Sequence, residues 1–376
     1  MDYIIGKAEG IEAGDKVGEY SQAGVAALAD DIATAKAVTN PTQADIEALQ
    51  AAINGISVNM PSPAKLYKIV KPGAANSVAY AGADNSCSWG ENTTPASVWV
   101  FEKGSADNKF YLRNLSTGSY TTSYNKDATV VLGEKNQEVT VVYHGANRQM
   151  GIAPNGGEQL NRASNRLCAW TDNPALNSNS AWIIEEVSSV SHLLTIGDAK
   201  WASLMLGFDA VIPEGANTYV VSSVSDTENC AILTKVKDVL PANTAVLINA
   251  DEAGDYTFEY TTSTHASIDN NKLEGTLYNK SITANAYALG VKEDIVALYT
   301  VNLDAAGTFI NYANKAYLPK STTAPAESIR LRPEGTTEIE EVEFNGTELI
   351  YDLTGRRVEK AGKGIYIVNG RKVLIK

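Results

Sequence analysis

Three stretches of this chain repeat one another at a fixed interval, and that interval limits the folds open to it. Leu66-Tyr67-Lys68-Ile69-Val70, Phe110-Tyr111-Leu112-Arg113-Asn114 and Met150-Gly151-Ile152-Ala153 open alike, each running into a glycine-containing turn a few residues on. Val98-Trp99-Val100-Phe101, Thr140-Val141-Val142-Tyr143 and Ala181-Trp182-Ile183-Ile184 close alike, with Trp99, Val141 and Trp182 about 41 residues apart. Each reads as a short strand. One such repeat cannot bury its own apolar face, so the three must close together about a pseudo-threefold axis.

Four short strands in each repeat of this length fit a β-trefoil. Pro61-Ser62-Pro63 marks its start, and residues 62–187 are the expected extent. A chain of 376 residues is too long for one ordinary domain. The full expectation is a multidomain, mainly β protein. It has an N-terminal three-helix bundle (1–58), the β-trefoil, a β-sandwich or barrel (188–334) and a small C-terminal β module (335–376).

The helical reading rests on spacing. Val25, Leu28 and Ile32 share one face, as do Ile46, Leu49 and Ile53. Thr42, with Asp45 three residues on, predicts a capping box, and Asn54-Gly55 predicts the helix stop. A further helix is expected around Ile4–Ile11. In 188–334, turns such as Leu240-Pro241-Ala242-Asn243 and Asp251-Glu252-Ala253-Gly254 separate short strands, among them Ala245–Asn249 and Tyr256–Tyr260. Near the end, Asn369-Gly370 between two alternating runs predicts a tight hairpin, because both turn positions need positive φ.

Composition excludes more than it selects. A net charge of −13 argues against nucleic acid as a partner. The charge is uneven, since Gly355–Lys376 holds seven Lys/Arg against one Glu. Cys87, Cys168 and Cys230 make no Cys-x-x-Cys pair and no disulfide framework. His144, His192 and His265 fall in no zinc-ligand spacing. There is no nucleophile elbow, Walker loop, dinucleotide fingerprint or calcium loop. Neither cofactor nor metal is therefore expected. A glycosidase needs only two flanking carboxylates, and with 44 Asp/Glu that alternative stays open.

The repeats resemble the ricin-type lectin trefoils, which carry an aromatic about a dozen residues before a closing Gln-x-Trp. Trp170 precedes Trp182 by twelve residues and Trp89 precedes Trp99 by ten, although Ser97 and Ser180 stand where the Gln belongs. The resemblance implies glycan binding. A sugar offers an apolar C–H face rimmed by hydroxyls, so its site needs an aromatic platform with amide or carboxylate neighbours. Repeat three offers Trp170 with Asp172, Asn173, Asn179 and Asn161, with Asn155 as another approach. Repeat one offers Trp89 with Asp84, Asn85 and Asn92, and Tyr80 as a second aromatic. Repeat two has Val130-Val131-Leu132 at the matching place, which predicts a dead site. The alternatives are plain packing of Trp89 and Trp170 in the hairpin layer, turn chemistry for the asparagines, and buried structural thiols for Cys87 and Cys168.

Two further resemblances bear on setting. The Ala-rich stretch after Gly18-Glu19-Tyr20-Ser21 resembles FIVAR modules, which act as spacers in secreted bacterial glycosidases and adhesins. The segment from Leu349, through Leu-Ile-Tyr-Asp-Leu-Thr-Gly-Arg-Arg-Val and Gly-Ile-Tyr-Ile-Val-Asn-Gly-Arg-Lys-Val-Leu-Ile-Lys, resembles the C-terminal sorting domains of Bacteroidetes proteins exported by the type IX pathway. It implies secretion or a cell-surface location, and contact with export machinery or envelope. The start carries no signal-peptide pattern, so the chain is expected to be the C-terminal part of something longer. The expectation is a monomeric, non-catalytic accessory region that targets an upstream carbohydrate-active enzyme to glycan. The alternative is a structural or adhesive module that binds protein.

Overall fold

The computed structural model describes all residues except 146, 155–157, 165, 172–178, 226, 321–325, 335–339, 342–349, 354–355, 359–362, 369–370 and 376, with the backbone alone at 340–341, 368 and 371–375. Three helices come first: α1 (Asp2–Glu9), α2 (Gln22–Ala37) and α3 (Gln43–Asn54). Their apolar stripes meet in one cluster of Ile5, Ala8, Leu28, Ala35 and Leu49, flanked by Ile32 and Ile53. The capping box of α3 is complete, the Thr42 hydroxyl accepting from Asp45 N while the Asp45 carboxylate accepts from Thr42 N at 2.8 Å. Gly55 ends α3 at φ −93°, so its freedom to adopt positive φ is not what stops the helix.

The repeats then supply twelve strands. They are β1 (Leu66–Lys71), β2 (Ala74–Ala81), β3 (Cys87–Glu91), β4 (Trp99–Lys103), β5 (Lys109–Asn114), β6 (Tyr120–Thr122), β7 (Val131–Gly133), β8 (Val139–Tyr143), β9 (Met150–Ala153), β10 (Gln159–Ala163), β11 (Arg166–Trp170) and β12 (Ile183–Val187). Pairings β1–β4, β4–β5, β5–β8 and β8–β9 run round a barrel. The Met150–Trp182 bridge and the β12–β1 pairing close it. Hairpins β2–β3, β6–β7 and β10–β11 cap the barrel. They join each other through Arg166 opposite Ser88, Ser86 opposite Val131 and Thr129 opposite Cys168. Six barrel strands and three mutually linked hairpins, one per repeat, are a β-trefoil. Its core holds Trp99 and Trp182 with Tyr67, Phe101 and Phe110, whose rings meet edge to face at 5.6 Å.

The region that follows contributes β13 (Ser191–Ile196), β14 (Trp201–Leu204), β15 (Ala210–Val211), β16 (Ala216–Ser225), β17 (Cys230–Val236), β18 (Val239–Leu240), β19 (Val246–Ala250) and β20 (Gly254–Tyr260). It continues with β21 (Glu274–Thr276), β22 (Lys280–Ile282), β23 (Ala286–Lys292), β24 (Ile295–Thr300), β25 (Phe309–Asn311), β26 (Lys315–Pro319) and β27 (Ser328–Pro333). One sheet runs β14-β19-β16-β17-β27-β24-β23-β26-β21. It curls until Met205 N donates to the Asn314 carbonyl and Ala316 N to Ser203 Oγ, bringing β26 to β14. Of the two architectures the sequence left open, this is the barrel. Alternate residues of β19 face two cores: Leu247 enters the barrel, while Val246 and Ile248 meet a four-stranded sheet, β13-β20-β15-β18. Val98, Val100 and Leu115 of the trefoil join that second core.

The chain ends in a five-stranded sheet of β28 (Glu340–Glu341), β29 (Ile350–Tyr351), β30 (Arg357–Val358), β31 (Gly364–Val368) and β32 (Arg371–Ile375). β31 pairs β32 with Val368 opposite Arg371, and Asn369 and Gly370, where the tight turn is expected, lie outside the described residues.

Candidate binding site

Register decides which way each tryptophan faces, since directly opposed residues of an antiparallel pair lie on one face of the sheet. In β10–β11, Leu160 opposes Ala169, and both belong to the trefoil core. Gln159 opposes Trp170 and Asn161 opposes Cys168, on the other face. Trp170 is therefore turned away from the core and is half-buried. In β2–β3, Ala79 opposes Trp89 and Ala81 opposes Cys87. Those alanines and Cys87 are core residues, and Trp89 packs against them. The shared Cys-x-Trp spelling thus hides opposite orientations.

Around Trp170 the turn before β7 is held against β11. Arg166 forms an ion pair with Asp127 at 3.0 Å and also donates to the Asp127 carbonyl. That contact sets the neighbouring Lys126 ammonium over the indole, 5.3 Å from its centroid. Beside the ring, Gln159 Oε1 is buried and has no hydrogen-bond partner among the described residues. A buried acceptor left so costs about 1–3 kcal/mol. Ring, amide and movable cation together can stack a flat ligand and bind its hydroxyls.

The remaining expected residues fall differently. Asp172, Asn173 and Asn155 lie outside the described residues. Asn179 is exposed just before the closing strand, its carbonyl accepting from Arg162 N. Asn161 is a correction: it is 6% exposed and its amide donates to Ser180 Oγ at 2.7 Å. It ties the hairpin to the closing segment at the position where the lectin pattern has Gln, and it cannot reach a surface ligand. In repeat one, Asp84 is exposed but its carboxylate accepts from Ser86 N and Oγ, and the Ser86 hydroxyl holds its pKa below the usual range. Asn85 takes φ 63° in that turn and donates to the Leu132 carbonyl. Asn92 accepts from Thr94 N and Oγ1. Tyr80 opposes Ser88, so it faces away from Trp89, and the two cannot form one platform. The Trp89 indole nitrogen is buried without a partner among the described residues.

Where repeat one meets repeat two lie groups that the tryptophan pattern missed. Val131 stands exposed where an aromatic was sought. On the barrel's outer face, however, Glu102 accepts from Arg113 Nε at 2.8 Å, Lys135 Nζ at 2.8 Å and the Tyr120 hydroxyl at 3.0 Å. Burial tends to raise the Glu102 pKa, but Lys135, Arg113 and Tyr120 outweigh it and hold the carboxylate ionised. The alternation of buried Phe110 and Leu112 with outward Tyr111 and Arg113 was the signal available in the sequence. All three cysteines are buried, and desolvation drives the Cys87 thiol pKa upward. Among the described residues no group of three or more His, Cys, Asp or Glu could hold a metal ion.

No protein-family model matches the chain. No curated protein matches it. Among solved structures it is similar to a Polyporus squamosus lectin bound to the human-type influenza-binding epitope Neu5Acα2-6Galβ1-4GlcNAc, with 14% identity and a TM-score of 0.29 over 34% of this chain and 50% of that one. A structure described as BEL β-trefoil is similar at 13% identity and TM-score 0.30, over 34% of this chain and 97% of that one. A mosquitocidal holotoxin is similar at 10% identity and TM-score 0.29, over 73% of this chain and 46% of that one. The chain spans half the length of the first of these. The trefoil assignment stands on the strand circuit described above.

Proposed function

We propose that this chain is a non-catalytic accessory region that binds carbohydrate through its trefoil. In this reading, residues 1–58 act as a spacer, 62–187 bind glycan, 188–334 support the trefoil and 335–376 direct export to the surface or beyond. The upstream partner in the same polypeptide is a carbohydrate-active enzyme. Weak binding suffices there, because tethering raises the local substrate concentration and each added site multiplies avidity.

One observation carries the reading: Trp170 is turned outward beside the Gln159 carbonyl oxygen, which is buried without a partner among the described residues, on a hairpin whose opposite face already fills the core. A tryptophan needed only for packing belongs on the Leu167–Ala169 face. The Lys126 ammonium over the ring contributes about 0.5–1 kcal/mol at such an exposed site, little enough for a stacking sugar to displace it. A glycan array probed with the whole chain and with Trp170→Ala tests this. Binding that falls at least tenfold in a variant of unchanged melting temperature supports it. Binding indifferent to Trp170→Ala, or none to any glycan, overturns it.

A further inference from the structure

A cleft of about 720 Å³ lies between the first repeat and the β13–β27 region, away from the Trp170 hairpin. Tyr80, Asn92 and Thr93 line it from the trefoil, and His192, Leu277 and Asn314 from the other side. Its two walls are fastened together. Asn279 N donates to the Ala83 carbonyl at 2.8 Å, and Gly207 packs so closely on Ser116 that an added Cβ would lie 2.3 Å from its carbonyl oxygen. The volume falls within the roughly 300–1,000 Å³ of small-molecule sites.

The lining has a chemical bias. Among the described residues no Asp, Glu, Lys or Arg lines the cleft, although 20% of the chain is charged. Hydroxyls, amides and one phenol alternate there with Ala, Pro and Leu. An ion entering such a space would lose its hydration without gaining a countercharge. A neutral polyol would find hydrogen-bonding groups for its rim and apolar walls for its C–H faces.

His192 is the distinctive member. It opposes Phe258 and shares a face with the buried Leu194 and Ile196, at the end of the buried stripe of β13. It lines the cleft opposite Tyr80 and Asn92. Burial, with Lys315 nearby, depresses its pKa and keeps the ring neutral, with one donor and one acceptor to offer. Tyr80 lies on the face of its hairpin opposite Trp89, and Thr94 donates to the Asn92 carbonyl oxygen, which fixes the amide at the cleft.

We infer that this cleft is a second glycan site, taking a short uncharged oligosaccharide, with His192, Tyr80 and Asn92 as its principal contacts. It takes its ligand class from the glycan-binding reading but shares no residue with the Trp170 site, so the two can fail separately.

The test is titration calorimetry on the whole chain carrying Trp170→Ala, which removes the first site. The probes are maltotetraose, cellotetraose, mannotetraose and lacto-N-tetraose, set against tetragalacturonate and sialyllactose. Two further substitutions are added singly: His192→Ala removes the buried ring, and Thr93→Trp obstructs the cleft from an exposed position. At least one neutral probe should bind the Trp170→Ala chain, and each substitution should weaken it tenfold or more. Thr93→Trp should leave the melting temperature unchanged, which guards against a folding defect in His192→Ala. Absence of binding by every neutral probe, binding indifferent to Thr93→Trp, or equal binding of the acidic probes would overturn the inference.

Discussion

The indole Nε1 of Trp182 donates to the Leu160 carbonyl at 2.8 Å, tying the closing segment of the third repeat to its own hairpin. Trp99 does the same for the first repeat, donating to Ala79 at 2.9 Å. Trp182→Phe keeps an aromatic ring but loses the indole N–H and part of the ring volume, leaving a buried carbonyl unpaired. Urea unfolding should show a loss of about 1–3 kcal/mol, and Trp182→Ala a larger one of about 3–5 kcal/mol.

Trp89 and Trp170 should separate stability from binding. Trp89→Ala removes a ring packed on the core and should lower stability by about 1–3 kcal/mol. Trp170→Ala should cost under about 1 kcal/mol, since its ring lies on the outward face. Equal losses in the two variants, measured by denaturant titration, would contradict the opposed orientations.

Gly18 and Gly207 hold the interfaces of the trefoil with its neighbours. Gly18 has φ +81°, and an added Cβ would lie 2.8 Å from the Arg148 Cα. Arg148 in turn donates to the Val17 and Ile184 carbonyls, clamping the helical region to the trefoil. Gly18→Ala should free that region for limited proteolysis near residue 60 while the rest stays folded. Gly207→Ala should expose the 188–190 junction instead, because its Cβ would strike the Ser116 carbonyl.

His144 and His192 both have pKa values lowered by burial. The unfolded chain, with ordinary histidines near pH 6.5, then binds more protons than the folded one just below that pH. Stability should therefore fall as pH drops through about 6.5 and below, until the folded histidines protonate as well. Replacing both with Gln should flatten the stability profile just below about pH 6.5 in thermal melts. A profile unchanged by the double substitution would refute the assignment.

The three buried cysteines should resist a thiol reagent in the native chain and react together on unfolding. Rapid labelling of Cys168 under native conditions would contradict its burial beside Asn161.

Features set by near neighbours are legible in the sequence. Thr42 and Asp45 announce a helix start because the capping bonds span three residues. The 41-residue echo announces a trefoil because each opening and closing strand carries its own alternation. The barrel formed by β14–β27 was harder, because its closure joins Ser203 to Ala316 across more than a hundred residues, a pairing that no local pattern encodes. Asn161 was misread for a similar reason: an asparagine beside a turn looks alike whether its amide meets solvent or Ser180.

The sequence alone determined the N-terminal helices, the mainly β character of the rest and the threefold repeat. Those depend on residue type and near spacing. Only the tertiary structure decided which tryptophan faces outward. Strand side chains alternate with a period of two, so the register that joins Arg166 to Ser88 and Gln159 to Trp170 assigns the faces. That register is set by three repeats closing on one another, and Cys-Ser-Trp and Cys-Ala-Trp came out on opposite sides of the same fold.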